Sequence, residues 1–88
     1  MYKLVYYIKK TDSLSAKEQE FKRYESDSEK FRLRRTAIHY VMDIIKQEYS
    51  SEGYGTEVRV GGIYCYKSER TAQGDRKITE IMVKVEKA

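Results

Sequence analysis

The sequence predicts an α+β fold, with a three- or four-stranded, mostly antiparallel sheet in the order ββαββ packed on one long amphipathic helix. Three observations carry that expectation. Ser26-Asp27-Ser28-Glu29 reads as a capping box, in which the serine hydroxyl takes an orphan helix N–H and the Glu29 carboxylate reaches back to the cap's own N–H. Behind it Leu33, Ala37, Ile38, Val41, Ile44, Ile45 and Tyr49 recur at three- and four-residue steps, which places them on one face of a helix. On either side the apolar residues alternate instead, the mark of half-buried strands. At 88 residues the chain is expected to form a single domain, 1–88, with one core.

Taken in order, Tyr2, Leu4, Tyr6 and Ile8 alternate with Lys3, Val5, Tyr7 and Lys9, so 2–9 reads as a strand. Thr11-Asp12-Ser13 has turn chemistry and is expected to end it. The next stretch is open to two readings. Ser15-Ala16-Lys17-Glu18 is a second capping-box pattern in a helix-favouring context, whereas Phe21 and Tyr24 suit a polar edge strand over 19–25. The strand is preferred, because a box at Ser26 needs non-helical backbone before it. The helix is expected to run about six turns to Tyr49-Ser50, where Gly53 and Gly55 offer positive φ. Thr56 to Lys67 reads as one strand with a bulge at Gly61-Gly62. Lys67 to Lys77 reads as a polar hairpin connection. Ile78 to Glu86 reads as the last strand, with Ile81, Val83 and Val85 facing one way.

Charged residues make up 36% of the chain, against about 25% in ordinary globular proteins, and the net charge is +4 with a pI near 9.1. That balance favours acidic partners, nucleic acid among them. One cysteine, Cys65, rules out an intramolecular disulfide and a cysteine metal cluster, and a small domain without bridges points to a reducing cytoplasm. The first ten residues have no long apolar core or small-residue cleavage site, so no signal peptide is expected there. No run approaches the length of a membrane span, and no membrane partner is expected.

Three features point to binding. Lys30, Arg32, Arg34 and Arg35 bring four cations to the start of the helix with no acid among them, where the macrodipole disfavours positive charge. They suit phosphates. A solvated helix face, with Glu25, Asp27 and Glu29 as local partners, accounts for the same residues. At the hairpin, Lys67, Arg70, Arg76 and Lys77 suit a nucleic-acid groove or, equally, a solvated tip that blocks edge pairing. Tyr7, Tyr64 and Tyr66, if they lie away from the helix beside Lys3 and Lys9, suit a stacking platform or a protein interface. His39 has no second histidine at metal-ligand spacing, and Cys65 reads as a buried thiol. No catalytic group, metal or cofactor is expected.

Arg59-Val60-Gly61-Gly62-Ile63-Tyr64-Cys65-Tyr66, followed by Lys77 to Val85, resembles the central hairpin of RelE/ParE-type toxins. The resemblance implies a basic sheet packed with helices and, for RelE-like members, cleavage of messenger RNA on the ribosome by basic and tyrosine side chains. The family's usual arginine after the hairpin aromatic is absent, and no catalytic residue is carried over. The preferred expectation is a small, cytoplasmic, non-catalytic binding protein that contacts nucleic acid or a nucleoprotein complex, its composition suiting a phage or mobile-element accessory factor. The alternatives are a protein–protein module, either an inhibitor of a host enzyme or a homodimer, that uses the tyrosine-bearing face, and the toxin-like ribonuclease.

Overall fold

A computed structural model describes residues 1–12 and 19–88, with backbone alone at 27–29. Five strands, β1 (Tyr2–Asp12), β2 (Lys22–Phe31), β3 (Gly55–Arg59), β4 (Gly62–Arg70) and β5 (Arg76–Lys87), form one sheet in the order β2-β1-β5-β4-β3, and every neighbouring pair is antiparallel. Between β2 and β3 lies one helical segment of 18 residues. It comprises α1 (Arg34–Tyr40), a π-helical turn (Val41–Ile45) and α2 (Lys46–Ser51). The expected three- or four-stranded sheet on a long helix is therefore wrong. The molecule is mostly sheet, and its short helix crosses one face from the β2 edge to the β3 edge.

Two corrections account for the difference. The Ser26–Glu29 pattern does not start the helix but lies inside β2. Lys3 pairs with Lys30 and Val5 with Glu25, so Leu4 alone opposes residues 26–29 in a wide bulge. Serine and aspartate favour helix caps because they bond to nearby backbone, and the same habit suits a bulge. Pairing with β1 decides between them: Tyr24 sits opposite Tyr6 and Phe31 opposite Tyr2, and Phe31 packs on Tyr40 with ring centroids 5.4 Å apart. The second box, at Ser15–Glu18, falls outside the described residues, as does Ser13. Thr11 and Asp12 continue β1 rather than ending it, paired with Ile78 and Lys77.

The second correction is at Gly61-Gly62, which is a hairpin turn rather than a bulge. Arg59 pairs with Gly62 across Val60-Gly61, and Gly61 takes φ 76°, a conformation that a β-carbon disfavours. One long expected strand thus becomes β3 and β4. Gly62 has a different role: a β-carbon there would lie 1.8 Å from the Val83 carbonyl oxygen. The β4 and β5 backbones approach at a point where no side chain fits.

The core fills the space between sheet and helix. Leu4 from β1, Ile63 and Cys65 from β4, and Ile81 and Val83 from β5 meet Val41 and Ile45 of the helix. Register aligns them, with Leu4 opposite Val85, Ile63 opposite Val83 and Cys65 opposite Ile81. Ala37, Val41, Ile45 and Tyr49 recur strictly every fourth residue. On an ideal α-helix that step drifts by about 40° each time. The wider π turn at Val41–Ile45 absorbs the drift and keeps the row over the sheet. Leu33 and Ile44, expected on this face, are exposed instead.

The helix ends in a Schellman motif. The Tyr54 N–H donates to the Tyr49 carbonyl at 3.0 Å, the Gly53 N–H donates to the Ser50 carbonyl at 3.1 Å, and Gly53 takes φ 92°. Tyr49 and Tyr54 pack edge to face at 5.2 Å.

Gly62→Ala is expected to destabilise the fold by about 3 kcal/mol, the upper end of overpacking penalties, read as a lowered urea midpoint. An unchanged midpoint would show that β4 and β5 are not this close.

Candidate nucleic-acid interface

The eight basic residues singled out in the sequence do not form one surface. Lys30 ends β2, Arg32 and Leu33 make the bend after it, and Arg34 and Arg35 open α1. Arg70, Arg76 and Lys77 lie at the opposite end of the long axis, on the β4–β5 hairpin. Lys30 is level with Lys3 and Glu86, and Glu86 lies ten residues along β5 from Arg76, a span of about 33 Å. At physiological salt, charges that far apart act independently.

Lys67 belongs to neither set. Its ammonium donates to the Glu52 carbonyl at 2.8 Å, pairs with Glu69 at 2.9 Å and lies 5.3 Å from the centre of the Tyr54 ring. It thus caps the negative end of the helix. The contact holds the Glu69 carboxyl below its usual range and raises the Lys67 ammonium above its own.

At the other end of the helix the electrostatics are reversed. Leu33, at the cap position, is extended (φ −114°, ψ 138°) and offers no side-chain cap, and the first turn has no acid. Among the described residues, Lys30, Arg32, Arg34 and Arg35 form no ion pair. The nearby acids whose side chains are described, Glu25 and Glu86, are committed elsewhere. Glu25 binds Lys3 and Arg23, which hold its carboxyl below the usual range, and Glu86 accepts from Tyr7 and pairs with Arg23. The side chains of Asp27 and Glu29, expected as local partners, lie outside the described residues. Leu33, Arg34, Arg35, Ile38 and His39 line an open groove. Arg34 also reaches the β3–β4 turn, its Nη2 lying 3.2 Å from where a β-carbon on Gly61 would sit.

Strand register adds a cation that sequence reasoning missed. Lys87 stands opposite Tyr2, which stands opposite Phe31, so the end of β5 lies in the row that leads into Arg32. Nothing local in the sequence signals this, because it depends on pairing the first strand with the last.

Tyr7, Tyr64 and Tyr66 do share the face away from the helix. Arg23, Tyr7, Met82, Tyr64 and Glu57 form one row across all five strands. Two of the three tyrosines are satisfied within the protein. The Tyr7 hydroxyl donates to Glu86 at 2.5 Å and the Tyr64 hydroxyl to Glu80 at 2.6 Å. The Glu80 bond and partial burial push the Tyr64 phenol up to about 12. Lys84 lies 5.3 Å from the Tyr7 ring centre and Arg59 4.5 Å from that of Tyr64, so a cation already sits over one face of each ring. Tyr66 is half exposed and leans on Gly55, across the β3–β4 pair.

His39 is exposed on α1. No group of three or more histidine, cysteine or acidic side chains among the described residues could hold a metal ion. No described helix is long and apolar enough to cross a membrane. The segment that resembles the RelE/ParE hairpin is split between β3, the turn and β4. No protein-family model, curated protein or solved structure matches the chain.

Cys65 is fully buried, and burial pushes its thiol up to about 11. An acid whose folded pKa is raised stabilises the fold below its unfolded value of about 8.5 and loses that contribution as pH climbs toward the folded value. Cys65 is therefore expected to resist a thiol-specific reagent at pH 8 and to react fully in denaturant, with stability falling from pH 8 to pH 11. Rapid reaction of the native protein would contradict this burial.

Proposed function

We propose that this is a binding protein that contacts the phosphate backbone of nucleic acid, free or within a nucleoprotein complex, through Lys30, Arg32, Arg34 and Arg35. One observation carries the reading. These cations gather at an uncapped, acid-free helix start with no ion pair among the described residues. Positive charge there costs a few tenths of a kcal/mol per residue, and an anionic partner offsets that cost. Arginine suits the role because its planar fork binds phosphate oxygens in pairs. The tyrosine face is a weaker candidate, since the Tyr7 and Tyr64 hydroxyls and one ring face of each are already occupied by the protein's own groups. We place the protein in the cytoplasm, where a lone buried thiol needs no partner.

Binding to a duplex is expected to weaken steeply with salt. Replacing Arg32, Arg34 and Arg35 by glutamine should reduce the slope of log affinity against log salt by about 2.7, as loss of three phosphate contacts requires. Replacing Arg70, Arg76 and Lys77 should leave it nearly unchanged. A salt-independent affinity, or equal losses from the two sets, would end the proposal. Arg35→Glu is expected to separate stability from binding, raising stability by about 0.5 kcal/mol through the helix dipole while weakening the complex. Chemical denaturation and a titration on the same sample read both effects.

A further inference from the structure

The two edges of the sheet are built differently. β2 is a poor template for another strand, because the four-residue bulge at 26–29 breaks its ladder and Lys22, Arg23, Glu25 and Lys30 line it. β3 is short and carries Glu57 and Arg59, but it has no bulge to break its ladder. Its five residues pair without interruption to β4, and no described strand pairs with its outer side. Val58 is 57% exposed on the helix face of this edge, and Val60 beside it is fully exposed. On the opposite face Glu57 and Arg59 stand two residues apart, both largely in solvent, with 3.3 Å between their charged atoms.

We propose that a second copy of this chain docks here, β3 pairing antiparallel with the partner's β3 about a two-fold axis to make one continuous sheet of ten strands. The charges select the register. A two-fold normal to the sheet keeps each face on its own side, so residues of one face meet only residues of that face. Centred on Glu57, the axis sets that carboxylate opposite the partner's Glu57. Centred on Arg59, it sets two guanidinium groups together. Centred on Val58, it puts Glu57 opposite the partner's Arg59 at two symmetric places and Val58 opposite the partner's Val58. Val60 lies in the turn beyond β3, so the strand pairing itself runs from Glu57 to Arg59 on each copy. Opposite charges and β-branched residues directly across a strand pair are both stabilising, and like charges are not. The Arg59 end of this pairing adjoins the turn that Arg34 reaches, but the pairing itself rests on β3 and does not depend on the nucleic-acid reading.

The test is sedimentation equilibrium of the wild type and two charge reversals, Glu57→Arg and Arg59→Glu, with circular dichroism confirming that each folds. The wild type is expected to be a dimer that dissociates on dilution. Each reversal alone should weaken dimerisation by about thirty-fold, because two attractive pairs become two repulsive ones. An equimolar mixture of the two variants should recover wild-type affinity as a heterodimer, because every cross-strand pair is then opposite in charge. A wild type that stays monomeric at about 1 mM, reversals that dimerise as well as the wild type, or a mixture no tighter than its components would each overturn the proposal.

Discussion

The ladder between β1 and β5 is the constraint on which the architecture rests. Eleven consecutive residues of the first strand pair with eleven of the last, Tyr2 with Lys87 through Asp12 with Lys77. Once those two strands occupy the middle of the sheet, β2 can add only beside β1, and β4 and β3 only beside β5. The chain between β2 and β3 must then cross from one edge to the other over a face. An 18-residue helical segment makes that crossing, and its apolar row closes the core. The ladder joins residues that are most of the chain apart, so its loop-closure cost comes before its benefit.

Much of this was legible locally, and the errors have a common source. The alternation in Tyr2–Lys9 and Ile78–Glu86 located both central strands, and in the second it also marked Ile81, Val83 and Val85 as one face, whereas Val5, fully buried on the face away from the helix, was not legible. Ala37, Val41 and Ile45 were legible as the helix's buried row. Ser26–Glu29 misled because a capping box and a bulge use the same polar, backbone-seeking residues, and only the pairing of Phe31 with Tyr2 separates them. Gly61 and Gly62 looked like one feature and are two, a positive-φ turn residue and a close backbone approach. For the Ser26–Glu29 stretch and for Gly62 the deciding contact, with Tyr2 and with Val83, is distant in sequence. The candidate site divides the same way. The run of arginines was plain in the chain, whereas the capping role of Lys67 depended on where the helix ends, and the position of Lys87 depended on the β1–β5 register.

Electrostatics runs against helix stability at one end and with it at the other. At its C-terminal end Lys67 meets the free carbonyl of Glu52, and a Schellman turn satisfies two more carbonyls. At its N-terminal end three arginines flank an uncapped start, while Glu25 and Glu86 serve Lys3, Arg23 and Tyr7 instead. These two acids are thus spent on the sheet's open face. Among the described residues, that division leaves the arginines at the helix start without an acid to pair with.

The central ladder also sets the chain's two ends side by side, and the Ala88 N–H donates to the Met1 carbonyl at 2.9 Å. At the far end of the same strands the loop at Gly74 has open space around it. A short linker from residue 88 to residue 1, with new ends cut at Gly74, would give a circular permutant with every strand pair retained. In that rearranged chain β5 and β1 would become a simple hairpin, the most remote contact in the protein turned into its nearest.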